Sequence, residues 1–218
     1  MKFKALTAAV ALIAAGAAYA GGADDDTLVI NGEIEMTTKA PAAAHLDGAL
    51  DEVISGWHFR KDGTQSMQAD DFDNPGMIFV EKAVDSWNTA EGSAGKSCAD
   101  CHGEPEAMAG VKPTYPKWNE EAGEVRTLQM QVNACRTERM GADAWKYDKG
   151  PALNMVALLS SVSRGLPMNV ATDGSAAEAY ALGKDLYYTR TGQLELSCAN
   201  CHEQNYGNYI RADHLSQG

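Results

Sequence analysis

The sequence is poor in basic residues and in long apolar stretches. It holds 18 Lys and Arg against 30 Asp and Glu, a formal net charge of -12. Binding nucleic acid requires a basic surface that neutralises phosphates, so this balance argues against a nucleic-acid partner. After the N-terminal segment, no stretch approaches the roughly 20 apolar residues of a membrane-spanning helix. The 218 residues, 44% of them hydrophobic, have the composition of a globular protein with one large domain or two small ones.

The long apolar segment of this sequence lies at its N-terminus. Lys2 and Lys4 precede an apolar run over 5–18, and the tripeptide AYA ends at Ala20. This pattern is typical of a secretory signal peptide with an A-x-A cleavage site, and it is too short and wrongly flanked for a membrane span. We therefore predict a signal peptide over 1–20, cleavage after Ala20 and a mature protein in the periplasm.

The cysteines are few and odd in number. Four of the five form two C-x-x-C pairs, each followed by a histidine, in the hexapeptides SCADCH (97–102) and SCANCH (197–202). A disulfide framework in an exported protein uses an even count, and zinc ribbons space paired motifs about 15 to 20 residues apart. A thioredoxin-like motif would need a βαβ pattern, which the sequence does not show.

The C-x-x-C-H pattern is the attachment motif of c-type haem. Two thiols bind the haem covalently, and the adjacent histidine ligates the iron from the proximal side. Two motifs therefore predict two covalent haem c groups. The attachment residues are Cys98, Cys101, Cys198 and Cys201, and the proximal iron ligands are His102 and His202.

Both hexapeptides belong to a longer repeat. Residues 81–102 and 181–202 share Asp85/Asp185, Thr89/Thr189, Gly92/Gly192 and most of the hexapeptide. Each copy fits a helix that ends near the glycine and is followed by the haem-binding loop, so one structural unit is used twice. The sequence thus predicts a mainly α fold with two cytochrome c-like haem domains in tandem.

The repeat also sets the predicted domain boundaries. An N-terminal extension over 21–66, anchored by Trp57 and Phe59, would pack on the core. The first haem domain covers 67–170 and closes with the apolar helix MVALLSSV, which Gly165 and Pro167 would stop. We expect the second haem domain to cover 171–218 and to be incomplete.

The fifth cysteine is a candidate sixth ligand of the first iron. Cys135 lies in LQMQVNACRTERM (128–140), which predicts a helix, and nearby cations would favour the ligating thiolate. A buried inert thiol is the competing interpretation, because free cysteine packs as a small hydrophobe. The cations are Arg126, Arg136 and Arg139. The alternative ligands are Met130, Met140 and Met155.

Several segments together carry a family resemblance. They are MQADDFDNPGMIFVEKAVDSW (67–87), SCADCH, YPKWNEEAGEVRTLQMQVNACR (115–136), SRGLPMNV (163–170) and SCANCH. From about residue 50 to Gly218, the chain resembles the SoxA family, dihaem cytochrome c subunits of the SoxAX complex of bacterial thiosulfate oxidation. The resemblance implies that Cys135 is the distal ligand of the first haem.

The resemblance also implies an activity and partners. SoxAX is an L-cysteine S-thiosulfotransferase, which oxidatively joins thiosulfate to a cysteine of the SoxYZ carrier and passes two electrons to a cytochrome acceptor. The implied partner in a heterodimer is SoxX, a small monohaem cytochrome. The second haem would be the catalytic one. The family's active-site cysteine is expected beyond residue 218, so no catalytic residue is assigned here.

The distal side of the second haem is open to three interpretations. His214 is the only further histidine after His202, and no Met or Cys follows. His214 could ligate the iron, the site could be open, or the sequence could stop inside the second haem domain, as we expect from the spacing of the first unit.

Two other functions fit the motifs. A dihaem electron-transfer cytochrome without catalytic activity requires nothing beyond the two haems. A zinc or disulfide module would remain only if the chain bound no haem.

Overall fold

The computed structural model describes residues 27–217, so the predicted signal peptide over 1–20 lies outside the described residues. This part of the chain is mainly helical, with short β-hairpins. Its α-helices are α1 (Asp62–Ala69), α2 (Met77–Asn88), α3 (Ala99–His102), α4 (Leu128–Ala134), α5 (Pro151–Ser161), α6 (Ala177–Tyr188) and α7 (Cys198–His202). Within residues 27–217, no helix has both the length and the apolar character required to cross a membrane.

The strands pair as four antiparallel hairpins. They are β1 (Thr27–Ile30) with β2 (Ile34–Thr37), β3 (Lys39–Pro41) with β4 (Glu52–Ile54), β5 (Lys117–Asn119) with β6 (Glu124–Arg126), and β7 (Tyr209–Ile210) with β8 (Asp213–His214). In the first hairpin, Leu28 pairs with Met36 and Ile30 pairs with Ile34. Each hairpin is thus a local unit, and the helices provide the larger core.

The main core lies between α2, α4 and α5. Apolar side chains recur at helical spacing on α2, where Ala83 and Trp87 are buried, and they face Met155 and Leu159 of α5. Pro151 begins α5, where its fixed φ and missing N–H suit the first turn. The apolar helix predicted before Gly165 and Pro167 is therefore α5, and its apolar face closes this core.

A smaller core holds the N-terminal segment together. Leu28, Ile30 and Trp57 are buried against one another. Beyond this cluster, Asn31 Nδ2 donates to Asp71 Oδ2 at 3.0 Å, and Arg164 binds the two carboxylate oxygens of Asp71 at 2.6 and 2.9 Å. The hydrogen bond from Arg164 holds the pKa of the Asp71 carboxyl below its usual value. The first hairpin is thereby tied to the segment that follows α5.

The N-terminal segment also contacts the last described residues. The backbone N–H of Ile54 donates to Gln217 Oε1 at 2.5 Å, and Gln217 Nε2 donates to the backbone oxygen of Glu52 at 3.0 Å. His214 Nδ1 lies 2.8 Å from the backbone oxygen of Phe59. The segment around the second hexapeptide therefore packs on residues 52–59.

The sequence repeat has a structural counterpart at the same offset. Helix α2 ends at Asn88 and α6 ends at Tyr188, and each is followed by an isolated antiparallel bridge, Glu91 with Lys96 and Thr191 with Leu196. The hydroxyl of Thr89 donates to the Asp85 carbonyl at 2.7 Å, and that of Thr189 donates to the Asp185 carbonyl at 2.6 Å. Each copy is a helix, a tight loop and a short helix that carries the hexapeptide.

Candidate functional site

The first hexapeptide forms one short helical turn that is fixed by its own polar residues. Asp100 Oδ2 accepts from the backbone N–H of Ser97 at 2.8 Å, and Ser97 Oγ accepts from the backbone N–H of Asp100 at 3.1 Å. This reciprocal capping satisfies donors at the start of α3. The backbone N–H of His102 donates to the Cys98 carbonyl at 3.0 Å, so the thiol and the imidazole lie one turn apart.

A largely apolar cavity of about 740 Å³, including its part open to solvent, adjoins this turn. It brings together three of the predicted site residues, Cys98, His102 and Cys135, from α3 and from the end of α4. Its lining is completed by Trp87, Met108, Val111, Tyr115, Leu128, Gln131, Val132, Arg136, Met140, Met155 and Leu159. An apolar wall with a thiol and an imidazole on one element and a second sulfur on another is a donor set that fits haem.

Cys135 lies at the point where an α-helix continues as a π-helix. The segment predicted as one helix is α4 followed by a π-helix over Cys135–Met140, and Gly141 ends it with φ 62°. The N–H groups of Ser93 and Ala94 donate to the carbonyls of Gly141 and Met140, so tertiary contacts hold the end of the π-helix. Single π turns inside helices are rare and occur frequently at functional sites.

The alternative sulfur ligands lie at different positions relative to this cavity. Met140 and Met155 line the cavity together with Cys135, whereas Met130 does not. Met155 is only 1% exposed and belongs to the core between α2 and α5. Cys135 is half-buried, and Gln131 Nε2 lies 3.9 Å from its sulfur.

The three predicted cations have different positions. Arg136 is buried and lines the cavity, Arg126 pairs with Glu124 at 3.1 Å, and Arg139 is exposed. Burial raises the pKa of the Cys98 thiol, and the charge of Arg136 partly opposes this rise. Arg136 is therefore the predicted cation that acts inside the cavity.

Sequence reasoning missed two residues of this site. Tyr115 lines the cavity, and burial raises the pKa of its hydroxyl. Glu91 forms an ion pair with Arg136 at 2.5 Å. The repeat marks Glu91 as specific to the first copy, because the second copy has Thr191 at the equivalent position.

The second hexapeptide has the same local geometry. Asn200 Oδ1 accepts from the backbone N–H of Ser197 at 2.8 Å, in a capping box that begins α7. The backbone oxygen of Ser216 lies 2.8 Å from His202 Nδ1. Because a carbonyl can only accept, this contact requires a proton on Nδ1, and in the neutral imidazole Nε2 then keeps a lone pair for a metal.

The surroundings of the second hexapeptide differ from those of the first. A cavity near α6 is lined by Tyr180 and Tyr187 together with His45 and Leu46, but not by Cys198, Cys201 or His202. His214 directs Nδ1 to the Phe59 carbonyl, and its ring centroid lies 3.7 Å from that of Tyr209. The hydrogen bond that Tyr188 donates to Glu203 raises the pKa of the Tyr188 hydroxyl to about 12.

Known proteins similar to this chain can now be compared with the site. The family model described as SoxA/TsdA, cytochrome c domain, matches residues 82–168, which include the first hexapeptide, Cys135 and α5. A cytochrome c domain binds haem c, in agreement with the cavity described above.

Individual relatives that match more of the chain extend the comparison. The L-cysteine S-thiosulfotransferase subunit SoxA of Rhodovulum sulfidophilum is 54% identical in a 213-residue alignment that covers 95% of this chain and 74% of that protein. The protein of the same name from Paracoccus pantotrophus is 48% identical in a 212-residue alignment that covers 96% of this chain and 73% of that protein.

A solved structure agrees with these relatives. The crystal structure of SoxXA from P. pantotrophus contains a chain that superimposes with a TM-score of 0.83 at 48% identity, covering 88% of this chain and 73% of that one. Identity of this degree over most of both chains, together with the match to a cytochrome c domain, shows that the chain belongs to the SoxA family of c-type cytochromes.

Proposed function

We propose that this chain is the SoxA subunit of a periplasmic c-type cytochrome complex with L-cysteine S-thiosulfotransferase activity. The complex oxidatively conjugates thiosulfate to a cysteine of the SoxYZ carrier and releases two electrons to a cytochrome acceptor. Its partner subunit is a SoxX-type monohaem cytochrome. The names of the relatives and of the SoxXA structure support this assignment.

The observation that carries the proposal is the first cavity. Cys98 and His102 reach it from α3, and Cys135 reaches it from the start of the π-helix. Cys98 and Cys101 would attach haem covalently, His102 would be the proximal ligand, and Cys135 would be the distal ligand. Bound haem supplies one-electron transfer, and an anionic sulfur ligand stabilises its ferric form and lowers its potential.

The structural repeat supports a second haem. The equivalent turn would attach it through Cys198 and Cys201, with His202 as the proximal ligand. Its Nδ1 is already bound to a carbonyl, which is the arrangement that orients Nε2 of a histidine toward a metal. We accordingly propose a dihaem protein with tandem haem domains over 67–170 and 171–218 and an N-terminal extension over 21–66.

The overall reaction is an oxidation at sulfur. One carrier thiol and one thiosulfate form a sulfur–sulfur bond, and the thiol loses its proton. Two electrons leave, and because haem accepts one electron at a time, two one-electron transfers to the cytochrome acceptor complete the balance. A chain with two haems and a monohaem partner provides such carriers within one complex.

Haem content is the first test of this proposal. Pyridine haemochrome absorbance of the denatured protein, exported by a host that matures c-type cytochromes, should give two covalent haems per chain. Replacing Cys198 and Cys201 with serine should leave one, because each thioether pair is independent of the other. A single haem in the unaltered protein would contradict the tandem assignment, and none would favour a zinc or disulfide module.

Conjugation is the second test. The complex with its SoxX-type partner, supplied with thiosulfate and an oxidised cytochrome, should add the mass of thiosulfate to the SoxYZ carrier and reduce two cytochromes per adduct. A carrier whose acceptor cysteine is replaced with serine is the control and should gain no mass. Cytochrome reduction without an adduct would contradict the transferase assignment.

The attachment motifs also fit a second candidate, a dihaem electron-transfer cytochrome without catalytic activity, because two C-x-x-C-H motifs specify haem and no particular reaction. The conjugation assay separates the two candidates, since this one accepts electrons from small reductants but forms no adduct.

A further inference from the structure

We propose that Arg136 and Glu91 form a positioning pair, which holds the segment of Cys135 at a fixed place relative to the first hexapeptide. This inference rests on the proposed ligation of the first haem by Cys135. It concerns side chains that touch the ligand-bearing segments and are not themselves iron ligands.

Three contacts immobilise the guanidinium of Arg136. Nη1 lies 2.5 Å from Glu91 Oε2, Nε donates to the Asp143 carbonyl at 3.1 Å, and the guanidinium carbon lies 3.8 Å from the ring centroid of Trp145. The Arg136 side chain is only 6% exposed. Its planar fork can make all three contacts at once, which a lysine ammonium cannot do.

Glu91 connects this pair to the first hexapeptide. Its backbone N–H donates to the Lys96 carbonyl at 2.9 Å, and Lys96 N–H donates to the Glu91 carbonyl at 3.3 Å. Lys96 is followed directly by Ser97 and Cys98. The residue whose carboxylate binds Arg136 is therefore part of the β-bridge that directly precedes the turn with Cys98.

The loop over 91–96, here called the proximal loop because it leads to the turn with His102, also holds the C-terminal end of the π-helix. Ser93 N–H donates to the Gly141 carbonyl at 3.1 Å, and Ala94 N–H donates to the Met140 carbonyl at 3.0 Å. The ion pair thus fixes the first turn of the π-helix, next to Cys135, while these two hydrogen bonds fix its end. Without the ion pair, the segment of Cys135 would be attached to the proximal loop at one end only.

The internal repeat provides an independent comparison. Thr191 stands where Glu91 stands in the first copy, although the backbone bridge is retained between Thr191 and Leu196. The bridge therefore does not need a carboxylate for its own formation. The carboxylate of Glu91 serves the contact with Arg136, and removing Glu91 would leave the buried guanidinium of Arg136 without its counter-ion.

The test measures how readily the distal ligand leaves the first haem. Arg136→Met, Arg136→Lys, Glu91→Gln and Glu91→Thr are prepared as holoproteins, and imidazole is added to the ferric state. The displacement of the thiolate is followed by electron paramagnetic resonance and optical spectroscopy. We expect displacement on the order of tenfold faster in Arg136→Met and Glu91→Thr, as for outer-shell partners of metal ligands. Displacement should be slower in Glu91→Gln than in Glu91→Thr. Displacement in Arg136→Lys should be as fast as in Arg136→Met.

A matched control separates positioning from general loss of stability. Arg164 also forms a partly buried ion pair, with Asp71, but it does not line the cavity. Arg164→Met should lower the stability of the fold while leaving the displacement rate at that of the unaltered protein. An equal acceleration in Arg164→Met would overturn the positioning role.

Two further outcomes would contradict the inference and are distinguishable. If the unaltered protein shows no thiolate-ligated ferric haem, both the proposed Cys135 ligation and the positioning pair fail. If the thiolate signal is present but the rate is unchanged, only the positioning pair fails. In that case Arg136→Met and Glu91→Gln would shift the haem potential in opposite directions, as expected for charges that act only through their fields.

Discussion

Replacing Cys135 with methionine raises the midpoint potential of the first haem by a few tenths of a volt. A thiolate ligand stabilises ferric iron with its negative charge, whereas a thioether favours the ferrous state. Axial ligands move haem potentials over a range of roughly 0.8 V, so this exchange should be among the largest single effects available in the chain. A potentiometric titration of the holoprotein, followed at the Soret band, measures the shift.

The cavity itself supplies the control for this prediction. Met108, Met140 and Met155 line it together with Cys135, so they carry the methionine sulfurs that could ligate in place of the thiolate. Replacing each of them singly with leucine should leave the potential of the first haem nearly unchanged. A large shift in any one leucine variant, with none in Cys135→Met, would move the ligand assignment to that methionine.

Local signals explain why the helical elements could be predicted. The helix α2, the positive-φ Gly92 in the loop that follows it and the hexapeptide recur one hundred positions later as α6, Gly192 and α7. The apolar run of α5 begins at Pro151, a residue that favours the first turn. These features depend on neighbours in sequence, which is why the sequence specifies them without tertiary information.

The segment before α1 contains a local sequence signal for its first hairpin. Asn31 and Gly32, both at positive φ, form the turn between β1 and β2, and Asn-Gly between apolar runs favours a tight hairpin. The contacts of this segment could not have been predicted in the same way. Gln217 binds the backbone at Glu52 and Ile54, a pairing that only the folded chain brings together.

The site shows the same division between local and tertiary information. The proposed attachment residues and proximal histidines follow from one short motif, because thioether chemistry requires that spacing. The π-helix at Cys135 and the pairing of Arg136 with Glu91 depend on a loop that lies about 45 residues earlier in the sequence. Residue type alone therefore predicted that three arginines would stabilise a thiolate at Cys135. Of these three, the structure places only Arg136 in the cavity.

Replacing Gly92 with alanine destabilises the protein far more than replacing Gly192. Both glycines have positive φ, 68° and 72°, so both variants have a similar conformational cost of about 1–2 kcal/mol. A Cβ at Gly92 would lie 2.2 Å from the Met140 carbonyl oxygen and 2.6 Å from Ala142 N, whereas nothing lies within 4 Å at Gly192. We expect at least about 3 kcal/mol for Gly92→Ala, measured by urea unfolding of each variant.

The comparison isolates the contact between the proximal loop and the π-helix. Because the same substitution is made in the same backbone conformation, the shared cost cancels in the difference between the two free energies of unfolding. What remains is the displacement of Met140 and Gly141, to which the loop is hydrogen-bonded. Gly92→Ala should therefore also speed the displacement of the Cys135 thiolate by imidazole, and Gly192→Ala should not. Equal losses of stability would mean that the loop and the π-helix are not in the close contact on which the geometry of the first cavity depends.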